Sequence, residues 1–131
     1  MPQIFKMLKR YKYSLILSLL ILYLSLKNAD DLNKVQFLNI PHFDKIAHFC
    51  MYFTLMSIFI LEARKSKVMN SSVLLLALFP FFYGIILEIL QATLTTTRSG
   101  NVFDVIFNTL GILFSLIVWL LIKKTYNEKF R

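Results

Sequence analysis

The chain has 131 residues, a hydrophobic fraction of 57% and a formal net charge of +8. That length holds one small domain, and that apolar excess excludes an ordinary soluble one, which needs polar residues to cover its surface. The positive charge does not point to nucleic acid, because the basic residues fall in clusters between apolar blocks and form no basic face interleaved with aromatics.

In chain order, four apolar blocks predict four transmembrane helices at about 13–26, 46–61, 73–90 and 102–122, all within one domain over 1–131. The first block follows Lys6, Lys9, Arg10 and Lys12, the layout of a signal peptide, but Lys27-Asn28-Ala29-Asp30-Asp31 offers no small-x-small cleavage site. A retained helix with Lys12 and Lys27 snorkelling at its ends is therefore expected. The connection over about 28–43 is too apolar for a free loop, and Pro41 breaks a helix through it, so it is expected to lie along the membrane interface. A soluble helical bundle would show one polar stripe per helix, and the first and third blocks carry almost none. Cys50 is the single cysteine, which excludes a disulfide within the chain.

Orientation follows from the cations. Lys6, Lys9, Arg10, Lys12, Arg64, Lys65, Lys67, Lys123, Lys124, Lys129 and Arg131 all fall on one side of such a bundle. Only Lys27, Lys34, Lys45 and Arg98 fall on the other, offset by Asp30, Asp31 and Asp44. The expectation is an all-α integral membrane bundle in the cytoplasmic membrane, with N-terminus and C-terminus both cytoplasmic.

On that topology the polar residues of three blocks share one membrane depth, at the outer face. Asp44, His48 and Tyr52 are spaced i, i+4, i+8 and share a helical face. Gly84, Glu88 and Gln91 share another, and Asp104, Asn108, Gly111 and Ser115 a third; Lys45 and Arg98 are the cations at the same level. Taken singly, each has a structural explanation: Asp44 and Asp104 as first-turn carboxylates on the helix dipole, Asn108 as interhelical glue, Gly84 and Gly111 as close-packing residues. Taken together, ionisable groups inside a membrane mark a functional site. The expected ligand-binding set is Asp44, Lys45, His48, Tyr52, Glu88, Gln91, Arg98, Asp104 and Asn108, with His48, Glu88 and Asp104 as catalytic candidates should the protein be an enzyme.

The same residues carry a resemblance. Pro41-His42-Phe43-Asp44-Lys45-Ile46-Ala47-His48-Phe49 with Tyr52 resembles the Pro-x-x-Asp-Lys-x-x-His-Phe-x-x-Tyr motif of VanZ-like membrane proteins. Glu88-x-x-Gln91 followed by Arg98, Asp104, Asn108 and Gly111 is similar to that family's second motif, Glu-x-x-Gln, Arg, then Asp-x-x-x-Asn-x-x-Gly. Two positions depart from it: Asn101 stands where many relatives have an acidic residue, and Ser115 where a second glycine is common. The resemblance implies a role at the cell envelope, the family's namesake being associated with low-level resistance to teicoplanin.

The expected partner is a membrane lipid or lipid-linked envelope molecule, including a lipoglycopeptide, held with its head group among the polar residues. No nucleic acid, cofactor or metal is expected. The alternatives are a membrane enzyme acting on lipid head groups and a non-catalytic scaffold. In the enzyme, His48 would serve as base, Glu88 as acid and Arg98 as phosphate clamp. The carboxylates and histidine could bind a divalent cation, although no recognised metal spacing or nucleophile motif is present.

Overall fold

A computed structural model describes residues 1–27, 41–64 and 73–129, with side chains to Thr125. The chain is all-helical: α1 Pro2–Arg10, α2 Lys12–Leu26, α3 Phe43–Ala63, α4 Val73–Leu94 and α5 Val102–Lys129. Three segments, Phe43–Ala63, Val73–Leu94 and Val102–Thr125, are long and apolar enough to cross a membrane. At about 1.5 Å per residue each covers roughly 30 Å or more, whereas α2 covers only about 22 Å.

Several expected boundaries are corrected. Helix α1 was not expected; Pro2 suits a first helical turn, and Ile4, Phe5, Met7 and Leu8 alternate with Lys6, Lys9 and Arg10, leaving all of it exposed. Helix α3 begins at Phe43 rather than 46, one residue past His42, whose φ of 62° places it in the left-handed region. That conformation turns the chain sharply into the helix, so the end of the supposed 28–43 interfacial segment is already helical; its residues 28–40, like Lys65 and Lys67, lie outside the described residues. Helix α4 continues to Leu94 and α5 to Lys129, because nothing in either sequence stops them where hydropathy falls.

Helix α3 packs most extensively on α5, with α4 against α5 and α2 laid against α3 and α4. The close pairing of α3 and α5 depends on Gly111: a Cβ there would stand 2.4 Å from the Phe49 carbonyl oxygen and 3.0 Å from the Phe53 nitrogen. Phe114 packs its ring on Phe49 and Phe53 beside this crossing, and Ser57 and Ser115 hydrogen-bond across it at 2.8 Å. Serine at 115 therefore supplies an interhelical bond where a glycine would only allow contact.

The distribution of polarity is inverted relative to a soluble protein. Ser14, Ser25, His48, Glu62, Glu88, Gln91, Asp104, Asn108 and Ser115 are buried. Ile16, Leu19, Leu74, Leu75, Phe82, Ile89, Ile117 and Leu120 face outward. Water would reverse that arrangement and hydrocarbon favours it, which marks a multi-pass membrane protein. Ile21, Tyr52, Leu55, Met56, Ile60, Ala77, Leu87, Ile112 and Leu116 fill the centre.

The two ends of the bundle differ chemically. At one, the Glu62 carboxylate of α3 receives the backbone N–H groups of Tyr13 at 2.9 Å and Ser14 at 3.1 Å, together with the Ser14 hydroxyl. Those N–H groups are orphan donors of the first turn of α2, which its own N-cap residue Tyr11 leaves unserved. Glu62 thus caps α2 from another helix. It lies among Lys6, Lys9, Arg10, Lys12 and Arg64, which line a cavity of about 830 Å³. At the other end, the Arg98 guanidinium donates to the Leu24 carbonyl in the last turn of α2, a cation where the helix dipole favours one.

Candidate functional site

At the Arg98 end, α3, α4 and α5 each present one buried ionisable residue to a common point. His48, Glu88 and Asp104 offer ligand atoms that all lie within 4.8 Å of one another. All three are buried. The i, i+4 faces read from the sequence are what aim them inward: each helix has one polar face, and hydrocarbon turns that face toward its neighbours.

Asn108 sets the orientation of His48. Its Oδ1 stands 3.0 Å from His48 Nδ1, a hydrogen bond in the tautomer that carries its proton on Nδ1. Nε2 then points at Asp104 Oδ2, 3.8 Å away. The other Asp104 oxygen receives Lys45 Nζ at 3.4 Å, and Lys45 also pairs with the more exposed Asp44 at 2.9 Å. Glu88 Oε2 accepts the Asn101 backbone N–H at 3.0 Å. Asn101 is the N-cap of α5, its side-chain oxygen accepting the Phe103 N–H. An acidic residue at 101 would still cap the helix, but would place a second carboxylate beside Glu88.

Three buried polar atoms are left without a hydrogen-bond partner among the described residues: the Tyr52 hydroxyl, Gln91 Oε1 and, three turns beyond Asn108 along α5, Trp119 Nε1. Tyr52 lies one turn deeper than His48 on α3, with its ring edge against Gly84; Gln91 lies one turn beyond Glu88 on α4. An unpartnered buried hydroxyl or amide oxygen costs roughly 1–3 kcal/mol, so two within a turn of the same centre mark a place built for something further.

The structure therefore brings together His48, Glu88, Asp104, Asn108 and Lys45, with Tyr52 and Gln91 adjoining. Asp44 reaches the group only through Lys45, and the described hydrogen bond of Arg98 goes to Leu24 rather than to a carboxylate. His48 hydrogen-bonds Asn108 and faces the Asp104 carboxylate on its other side. Glu62 and Ser14, at the opposite end, were missed; a lone acid closing an apolar block next to a basic cluster was the available signal.

Gly84 permits this packing. A Cβ there would meet Tyr52 Cε1 at 3.1 Å and Asn108 Nδ2 at 3.2 Å, both side-chain atoms able to shift by a few tenths of an ångström. Gly84→Ala is expected to change stability by no more than about 1 kcal/mol. It should nevertheless move Asn108 off His48, seen as a changed imidazole ¹⁵N shift; an unaltered shift would contradict the contact.

The VanZ/LLP1 family model matches residues 3–123 of this chain. Comparison with curated proteins and with solved structures gives no match.

Proposed function

The chain belongs to the VanZ/LLP1 family, and we propose that it is an envelope protein of the cytoplasmic membrane that binds the head group of an amphiphile at the outer face. Four crossings with both termini inside are part of this reading. Support for the fourth comes from α2, whose first turn meets Glu62 near the end of α3 and whose last turn meets Arg98 in the connection between α4 and α5. Support for the orientation comes from Lys6, Lys9, Arg10, Lys12 and Arg64, gathered round one cavity at the Glu62 end.

The observation that carries the binding reading is the meeting of His48, Glu88 and Asp104 inside the bundle, with Tyr52 and Gln91 still unsatisfied beside them. Lys45, the His48 ring and the carboxylates suit a polar or phosphorylated head group, and the apolar outer faces suit its tail. A lipid, a lipid-linked cell-wall precursor and a lipoglycopeptide share this chemistry.

Protein purified in mild detergent, incubated with phospholipids and polyprenyl phosphates, is expected to retain one of them in native mass spectrometry. Glu88→Gln and Lys45→Ala should each lower retention at least tenfold with the unfolding transition preserved. Equal retention in both variants would sink the proposal. A scaffold role draws on the paired interior, His48 with Asn108 and Ser57 with Ser115; a wild type that retains nothing while co-purifying with another membrane protein would favour it. Head-group products in the same incubation would instead make the protein an enzyme.

A further inference from the structure

We propose that His48, Glu88 and Asp104 form a binding site for one divalent transition-metal cation, of the Mn²⁺ to Zn²⁺ series. The three donors come from three different helices, α3, α4 and α5, and each is buried.

The ring of His48 is the first argument. Asn108 holds Nδ1 at 3.0 Å, so the ring turns Nε2 toward the Asp104 carboxylate 3.8 Å away. That separation is longer than a hydrogen bond and leaves room for a cation between the two atoms. A metal ion satisfies both, and histidine held by a hydrogen bond at its other nitrogen is the usual arrangement of a metal-ligating imidazole. Ligand atoms round a first-row ion at about 2.0–2.2 Å stand about 3–3.5 Å apart, so the widest pair of the group needs to close by at most roughly 1.3–1.8 Å.

Charge is the second argument. Among the described residues the ammonium of Lys45 serves Asp44 and the outer oxygen of Asp104, leaving Asp104 Oδ2 turned to the ring. Glu88 has an amide N–H as its described hydrogen-bond partner, and no ion pair to it exists among the described residues. A buried carboxylate so placed has no directly bonded cation among the described residues. The third argument is the Tyr52 hydroxyl and Gln91 side-chain oxygen, buried, unpartnered and each within a turn of a ligand, where they can hold water or substrate on the ion's open positions. One imidazole with two carboxylates suits Mn²⁺, Fe²⁺, Co²⁺ or Zn²⁺ better than Mg²⁺ or Ca²⁺, which take oxygen alone.

The inference stands apart from the amphiphile reading, because the ion is measured without added lipid. Purified full-length protein, stripped with chelator, is titrated with Zn²⁺, Mn²⁺, Mg²⁺ and Ca²⁺ by calorimetry and with Co²⁺ by visible absorption. One ion per chain is expected, together with an upward shift of the unfolding midpoint. His48→Gln, Glu88→Gln and Asp104→Asn should each weaken binding at least tenfold, and Ser57→Ala should leave it unchanged. No saturable binding by a wild type that unfolds cooperatively would overturn the proposal, whatever the variants do. Equal affinity in all three ligand variants would overturn it too, as would binding of Mg²⁺ or Ca²⁺ only.

Discussion

Gly111→Ala is expected to destabilise the bundle by about 2 kcal/mol, and Gly111→Leu to prevent its assembly. Two effects oppose each other. Alanine gains up to about 1 kcal/mol of helix propensity over glycine. Against that, the new Cβ would sit 2.4 Å from the Phe49 carbonyl oxygen and 3.0 Å from the Phe53 nitrogen, and both are backbone atoms of α3. Backbone cannot swing aside as a rotamer does, so α3 and α5 must separate along their whole contact, the most extensive in the protein. Overpacking of this kind costs about 3 kcal/mol, which exceeds the propensity gain. Thermal or denaturant unfolding in micelles measures the difference; an alanine variant as stable as the parent would show that the two helices do not approach this closely. The comparison with Gly84 isolates the cause, since the neighbours there are side chains.

Glu62→Ala is expected to cost about 3 kcal/mol and to free the start of α2. The carboxylate accepts from two backbone amides and one hydroxyl in a buried setting. Bonds to a carboxylate contribute about 1.5–3 kcal/mol each, and removing it leaves two N–H groups without an acceptor beside hydrocarbon. Not all of the three bonds is lost, because water can follow the cavity that Lys12 and Arg64 line. Glu62→Gln keeps one acceptor oxygen and should cost less. Amide hydrogen exchange at Tyr13 and Ser14 is the direct readout: both should lose protection in the alanine variant, with α5 unaffected. Retained protection would mean that α2 is held by packing alone.

Much of the site was legible because hydrocarbon enforces a simple rule. Residues at i, i+4 spacing share a face, and a polar face in an apolar helix must turn inward, so Asp44-His48-Tyr52, Glu88-Gln91 and Asp104-Asn108 could be assigned to one centre before any contact was known. What could not be read were partners without side-chain signatures. Arg98 binds the carbonyl of Leu24, and Glu88 the amide of Asn101, and every residue carries such groups. Helix ends were misplaced for a related reason. Hydropathy marks where lipid stops, whereas α4 and α5 continue through Gln91 and Lys123 on their own hydrogen bonds. Helix α1 was legible and overlooked: its cations were counted for orientation while Ile4, Phe5 and Leu8 between them went unused.

The cap on α2 also ties two distant stretches of the chain into one event. Ser14 precedes by 48 residues the acid that completes its helix. The first turn of α2 therefore gains its acceptor only when the far end of α3 is in place, so these two helix ends form together rather than one after the other.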